Sequence, residues 1–189
     1  MPLTIPNLLT WLRIALIPLF VGVFYFKEDW LPLAAQNLAA TTIFVVAAIT
    51  DGFDGWLARR LHQTSAFGAF LDPVADKLMV AAALIVLLQL GRVDAIVALI
   101  IIGREITISA LREWMARLGE SKSVAVSFLG KIKTISQMIA IPLLLYAEPI
   151  GKFRPQLVGT WLIYIAAALT LISMFYYLKV ALPQAIKHG

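Results

Sequence analysis

The sequence predicts an all-α integral membrane protein with six transmembrane helices, and three observations carry that prediction. Of its 189 residues, 61% are hydrophobic and only 14% are charged, whereas roughly a quarter are charged in a soluble domain. The apolar runs reach about 20 residues, the length a helix needs to cross a hydrocarbon core of about 30 Å. They do not alternate in polarity, and open sheet edges cannot face lipid, so helices must do the spanning.

Breaks carrying charge, proline or glycine divide the chain into spans at 8–26, 33–60, 68–90, 93–117, 124–146 and 156–180. The first contains Pro18, which predicts a kink. No basic region precedes Leu8 and no small-residue cleavage pattern follows the run, so this segment reads as a retained helix and not as a signal peptide. The second runs into Asp51 and Asp54, and the third opens with Gly68, Asp72 and Asp76. The fourth carries Arg104 and Glu105 directly after Ile100, Ile101 and Ile102, and the fifth opens on G-K-I-K-T with Lys131 and Lys133. The sixth has Trp161 near one interface and Tyr176 and Tyr177 near the other, with no chemistry of its own. Six spans leave no room for a second domain, so residues 1–189 read as one transmembrane unit.

Lys and Arg set the orientation. With six spans, Arg13, Arg59, Arg60, Lys77, Arg112, Arg117, Lys122, Lys131, Lys133, Lys179 and Lys187 fall on one side, against Lys27, Arg92, Lys152 and Arg154 on the other. Both termini and the aspartates are therefore expected to face the cytoplasm. A net charge of +5, gathered on the aspartate side, suits anionic head groups and phosphate-bearing substrates, although positive-inside bias explains much of it. Absence of cysteine excludes disulfides and thiol catalysis.

Four aspartates lie between positions 51 and 76, at the mouths of two apolar runs. Ionisable groups in a span are expensive and mark function. Residues three or four apart share a helix face, so Asp51, Asp54, Gly55 and Ala58 form one stripe, and Gly68, Asp72 and Asp76 another. Gly55, Ala58 and Gly68 lack bulk and let a ligand approach the backbone. Four crowded carboxylates repel until protons or cations neutralise them, and two divalent ions would cancel their charge. An oxygen-only set favours Mg²⁺ or Mn²⁺ over zinc, and paired ions are a recurring device for displacement at phosphorus. Arg59 is placed to grip a phosphate, with ordinary interfacial anchoring as the alternative for it and for Arg60.

Two further stretches are polar where lipid-facing sequence would be apolar. I-P-N-L-L-T-W-L-R puts Asn7, Thr10 and Arg13 near one face of the first helix, open to interfacial capping or to ligand contact. Arg104, Arg112, Lys131 and Lys133 can form a basic pocket beside the aspartates, to which Thr107 and Ser109 add hydroxyls. The competing reading pairs Arg104 with Glu105 and lets the lysines snorkel. A neutral acceptor would have little use for so much positive charge, whereas a phosphate-bearing one would.

The pattern D-x-x-D-G-x-x-A-R, eight residues, then G-x-x-x-D-x-x-x-D resembles the signature of the CDP-alcohol phosphatidyltransferases at Asp51, Asp54, Gly55, Ala58, Arg59, Gly68, Asp72 and Asp76. Together with I-P-N-L-L-T-W-L-R, D-P-V-A-D-K and the two basic stretches, it is similar to the bacterial branch whose acceptor is sn-glycerol 3-phosphate. That resemblance implies a homodimeric, multi-pass enzyme of the bacterial cytoplasmic membrane that joins CDP-diacylglycerol to this acceptor, giving phosphatidylglycerophosphate and CMP. It implies metal ligation by Asp51, Asp54 and Asp72, with Asp76 as base lying near a metal. It implies CDP-lipid contact by Asn7, Thr10, Asp54, Gly55, Ala58, Arg59 and Gly68, and acceptor-phosphate contact by Arg104, Arg112, Lys131 and Lys133. Residue physics supports the carboxylate cluster but does not choose which member is the base. Other acceptors (inositol phosphate, phosphatidylglycerol, serine) and, in a different class, a divalent-cation transporter are the alternatives. The transporter is disfavoured because the sequence shows no repeat with an aspartate set in each half.

Overall fold

The computed structural model describes residues 5–61, 66–117 and 128–188, and the side chains of 5–7, 53–59, 61, 66, 67, 69, 117, 128, 129 and 180–188 lie outside the description. Every regular element among the described residues is helical: α1 (Ile5–Gly22), which passes into a 3-10 turn at Val23–Tyr25, α2 (Leu33–Leu61), α3 (Ala66–Gln89), α4 (Ala95–Arg117), α5 (Phe128–Tyr146) and α6 (Pro155–His188). These bounds follow the expected spans closely. The clearest difference is α6, which continues from the expected end at 180 to His188.

Pro18, Pro73 and Pro142 all sit inside helices that continue through them. In a soluble helix each would cost about 3 kcal/mol, but packed membrane helices re-satisfy the freed carbonyls through neighbours and local adjustment. Pro73 lies between Asp72 and Asp76 and removes one backbone donor from the turn that carries them.

Among the described residues, three stretches are long and apolar enough to cross a membrane: Leu8–Tyr25, Leu33–Gly52 and Pro155–Lys179. The other three helices carry charge within their length, at Asp72, Asp76 and Lys77 on α3, Arg104 and Glu105 on α4, and Lys131 and Lys133 on α5. Large apolar side chains nevertheless cover the outside of the bundle. Ile96, Leu99, Ile106, Trp161 and Phe175 are all exposed, while Arg13, Asn37, Arg104 and Lys133 are buried. Apolar outside with paired polar groups inside is the arrangement expected when lipid is the solvent.

Helix α1 packs on α2 and α3, α5 on α6 and α2, and α4 on α6 and α3. The shared core includes Phe20, Phe44, Met79, Leu84, Ile101 and Leu144. Gly159 lets α5 and α6 approach closely: a Cβ there would meet Leu144 Cγ at 2.8 Å and the Ala140 carbonyl oxygen at 3.1 Å. At the end away from the aspartates, Arg92 in the α3–α4 turn donates to the carbonyls of Leu144 (3.1 Å) and Leu145 (2.8 Å) and to Asn37 Oδ1 (2.9 Å). One side chain thus serves the last-turn carbonyls of α5, which have no partner within their own helix, and ties α5 to α2.

Candidate active site

One end of the bundle collects the chemistry, because α2, α4 and α6 end there while α1, α3 and α5 begin. The aspartates are organised by α1. Arg13, only 1% exposed, donates from Nη1 to Asp51 Oδ1 at 2.5 Å. Thr10 donates from Oγ1 to Asp72 Oδ1, also at 2.5 Å. Positions 10 and 13 share a helix face, so a single turn of α1 holds one carboxylate from α2 and one from α3. Sequence alone left Thr10 and Arg13 open between capping, snorkelling and ligand contact. The structure points both side chains inward at the aspartates.

The backbone of α2 stays helical through Asp51, Asp54, Gly55 and Ala58, as the shared stripe requires. The side chains of Asn7, Asp54, Ala58 and Arg59 and the surroundings of Gly55 lie outside the described residues. Gly68 is buried. Asp76 stands one turn beyond Asp72 and lines two cavities. A narrow one of about 10 Å³ is shared with Arg13, Phe44 and Met138. A larger one of about 150 Å³ brings Asp76 together with Pro73, Lys77, Glu105, Lys133 and Gln137.

The second cavity is where the basic stretches meet. Glu105 accepts from Arg104 Nη1 at 3.1 Å and from Lys133 Nζ, so one carboxylate orders two buried cations from α4 and α5. The competing reading thus holds for Arg104, which pairs with Glu105, but not for Lys133, which is 2% exposed and joins that pair instead of reaching for the surface. The basic residues in the lining beside Asp76 are Lys77 and Lys133, while Arg104 reaches this group through Glu105 and Arg112, an exposed residue, through Tyr177.

Tyr177 of α6 completes this half of the site. It is 1% exposed, and its ring centroid lies 5.9 Å from Arg104 Cζ and 5.7 Å from Arg112 Cζ, within cation–π range. Arg112 also donates to the Tyr177 hydroxyl at a long 3.4 Å. Helix α6, read from sequence as free of chemistry, thus supports both arginines. Its tyrosines looked like an interfacial belt, and only the tertiary packing separates buried Tyr177 from exposed Tyr176.

Other expected groups stand apart. Lys131 is exposed and lines neither cavity. The hydroxyls of Thr107 and Ser109 donate back to the carbonyls of Gly103 and Glu105, so their protons are committed to their own helix. A wider concavity of about 700 Å³ lies at the opposite end, beside the α5–α6 turn and Trp161, and no carboxylate is among the described residues that line it.

The donor set suits a hard divalent cation. It is all oxygen, and the described contacts of Asp51 and Asp72 each occupy one carboxylate oxygen, whereas a carboxylate offers about four lone-pair sites. Among the described residues no three acidic side chains converge on one ion position, and the Asp54 side chain is not among them.

The sequence profile described as CDP-alcohol phosphatidyltransferase matches residues 3–172. Proteins named CDP-diacylglycerol–glycerol-3-phosphate 3-phosphatidyltransferase are similar along nearly the whole chain. The one from Shigella flexneri serotype 5b is 50% identical over 183 residues, covering 96% of each chain. Its counterpart from Pectobacterium atrosepticum is 51% identical over 187 residues, and that from Escherichia coli K12 is 50% identical over 183, again covering 96% of each.

Proposed function

The chain belongs to the CDP-alcohol phosphatidyltransferase family, and from that premise we propose that it transfers the phosphatidyl group of CDP-diacylglycerol to the 1-hydroxyl of sn-glycerol 3-phosphate, releasing CMP. The half-identical relatives named for this reaction support the assignment. The observation in the molecule that carries it is the small cavity in which Asp76 meets Lys133, a carboxylate beside an ordered cation. A base and a phosphate anchor in one small space suit a short, phosphate-bearing alcohol. Serine carries no phosphate and would leave the excess of Arg104 and Lys133 over Glu105 unexplained.

In the proposed mechanism the acceptor's phosphate enters among Lys133, Arg104 and Arg112, which Glu105 and Tyr177 hold in place. Its hydroxyl then lies against Asp76, which must reach the proton it removes. The freed oxygen attacks the lipid-side phosphorus, and the bond from that phosphorus to the CMP oxygen breaks, with the electron pair leaving on CMP. Asn7, Thr10, Asp54, Gly55, Ala58, Arg59 and Gly68 would receive the donor's nucleotide and diphosphate. Members of this family generally depend on a divalent metal. Two Mg²⁺ or Mn²⁺ ions held by Asp51, Asp54, Asp72 and Asp76 would neutralise the diphosphate and stabilise charge on the attacking and leaving oxygens.

All six long helices cross the bacterial cytoplasmic membrane in this reading, with the aspartate end and both termini in the cytoplasm, and two copies form a homodimer. The residues expected on the cytoplasmic side by positive-inside bias include Arg59, Arg112, Lys131 and Lys133, with Arg104 inside a span, which suits a donor met in the membrane and an acceptor met in water.

The test is transfer in detergent or liposomes with labelled sn-glycerol 3-phosphate, CDP-diacylglycerol and Mg²⁺ or Mn²⁺. CMP and a lipid-extractable labelled product should appear together and vanish with a chelator. CMP release with inositol phosphate, phosphatidylglycerol or serine but not with this acceptor would overturn the acceptor assignment. Silence with all four in folded protein would overturn the transferase reading.

A further inference from the structure

The mechanism above leaves three polar groups of the acceptor cavity unused, Lys77, Thr134 and Gln137, and of these Gln137 is the buried one. It lies one turn after Lys133 on α5, is 4% exposed, and lines the cavity together with Asp76, Glu105 and Lys133. Its Oε1 is buried and has no hydrogen-bond partner among the described residues. Buried polar atoms in folded proteins are nearly always satisfied, so an unmet acceptor in a cavity wall marks a place for a donor.

The neighbouring groups do not meet that need. Glu105 is engaged by Arg104 and Lys133, and the Thr134 hydroxyl donates to the Gly130 carbonyl. The chemistry of glycerol 3-phosphate has three parts to place: a phosphate, which seeks the cations, a primary hydroxyl, which seeks the base, and a secondary hydroxyl at carbon 2. A neutral amide suits the last, since a second carboxylate would repel the phosphate. Either edge of the amide can pair with a hydroxyl, which both donates and accepts. Four residues of helix rise about 6 Å, which sets the amide one turn from the Lys133 ammonium, the spacing a three-carbon phosphate would bridge.

We propose that Gln137 is a specificity-determining residue that hydrogen-bonds the 2-hydroxyl of the acceptor and so selects a glycerol backbone. The inference rests on the transferase reading and adds the feature of the acceptor that the cavity recognises.

The experiment compares kcat/KM for sn-glycerol 3-phosphate and for 3-hydroxypropyl phosphate, which lacks only the 2-hydroxyl, in liposomes with CDP-diacylglycerol. The unmodified protein should favour glycerol 3-phosphate by about tenfold to a hundredfold, the range one buried hydrogen bond supplies. In Gln137→Leu the glycerol 3-phosphate value should fall to that of the deoxy substrate, whose own value stays within about threefold, so the ratio collapses toward one. Gln137→Asn, which keeps the amide but withdraws it by one methylene, should lose most of the ratio and serves where the leucine variant does not insert. A merely structural role would lower both substrates in parallel, and a preserved ratio in both variants would overturn the proposal. Equal use of the two substrates by the unmodified protein would overturn it as well. Failure to release CMP with either would instead strike the transferase reading on which it rests.

Discussion

Replacing Lys133 with glutamine tests the acceptor site most directly. The ammonium is almost wholly buried and is held by Glu105, which also keeps Arg104 at 3.1 Å. Breaking a buried ion pair costs roughly 3–5 kcal/mol when the remaining charge is left alone. Here Glu105 is 24% exposed and retains its arginine, so the folding cost should fall nearer to 1–2 kcal/mol, within what a stable bundle tolerates. The functional cost is separate. A charge-assisted hydrogen bond to phosphate contributes about 1.5–3 kcal/mol. Because Lys133 shares its charge with Glu105 and Arg104 remains, about 2 kcal/mol is the reasonable figure, close to thirtyfold in kcat/KM.

That loss should appear on one substrate. With CDP-diacylglycerol saturating, Lys133→Gln is expected to raise the KM for glycerol 3-phosphate about thirtyfold, while the KM for the CDP-lipid at saturating acceptor stays within about threefold. Lys131→Gln is the matched control, because Lys131 is exposed and lines neither cavity. It should change either parameter by no more than about threefold, as expected for a surface charge. CMP release against each substrate in turn measures all four values, with thermal unfolding in detergent to show that both variants are folded. Equal loss on both substrates, or a larger effect at Lys131, would refute the assignment of Lys133 to the acceptor.

Asp76→Asn should abolish transfer, by at least about a hundredfold, in a protein that still inserts and unfolds cooperatively; normal turnover would remove Asp76 from the mechanism. Tyr177→Phe keeps the ring over both arginines and removes the hydroxyl's long hydrogen bond with Arg112, so kcat/KM should stay within about threefold, whereas Tyr177→Leu should cost about tenfold on glycerol 3-phosphate by releasing both guanidinium groups. Parallel behaviour of the two tyrosine variants would show that the ring does not hold the arginines. Gly159→Leu should destabilise by at least about 1–3 kcal/mol, read as a lowered unfolding temperature, because even a Cβ there meets Leu144 and the Ala140 carbonyl. Gly22→Ala, with nothing within 4 Å of the added carbon, is the comparison and should be near neutral.

The helices were legible in the sequence because lipid imposes length and polarity on them, and the bounds of α1 to α4 fall within a few residues of the apolar runs. The aspartate stripes were legible too, since helical spacing is local. What the sequence did not reveal depends on pairs far apart along the chain. Thr10 and Asp72 are 62 positions apart and Arg13 and Asp51 are 38 apart, so no periodicity links them. Tyr177 shares the composition of an interfacial belt with Tyr176, and burial of one but not the other is decided by α4 packing on α6. Lys131 and Lys133 look alike in sequence, yet two residues on a helix are about 200° apart, which turns one outward when the other faces Glu105. Thr107 and Ser109 could have been placed by local physics, since a hydroxyl in apolar surroundings bonds its own helix.

The position of Asp76 explains why the site needs carboxylates on two helices and cations on two others. Asp51 and Asp72 are fixed from the α1 side by Arg13 and Thr10, whereas Lys133 and Arg104 are fixed from the α4–α5 side by Glu105. Asp76 lines one cavity with Arg13 and another with Glu105 and Lys133. In a transfer between a lipid diphosphate and a soluble phosphate, both substrates are anionic and repel one another, so each needs its own countercharge before the reacting atoms can approach. A base must nevertheless touch the second substrate while lying beside the first. A residue one turn beyond Asp72, on the helix that borders both groups, meets that condition. Moving the carboxylate one turn along α3 to position 80, in the double variant Asp76→Ala, Val80→Asp, should therefore not restore transfer, although Val80 lines the same two cavities: helical rise carries that position about 6 Å deeper, away from the end where Asp51 and Asp72 are held. Recovery of CMP release in that double variant would show that proximity to the cations alone suffices.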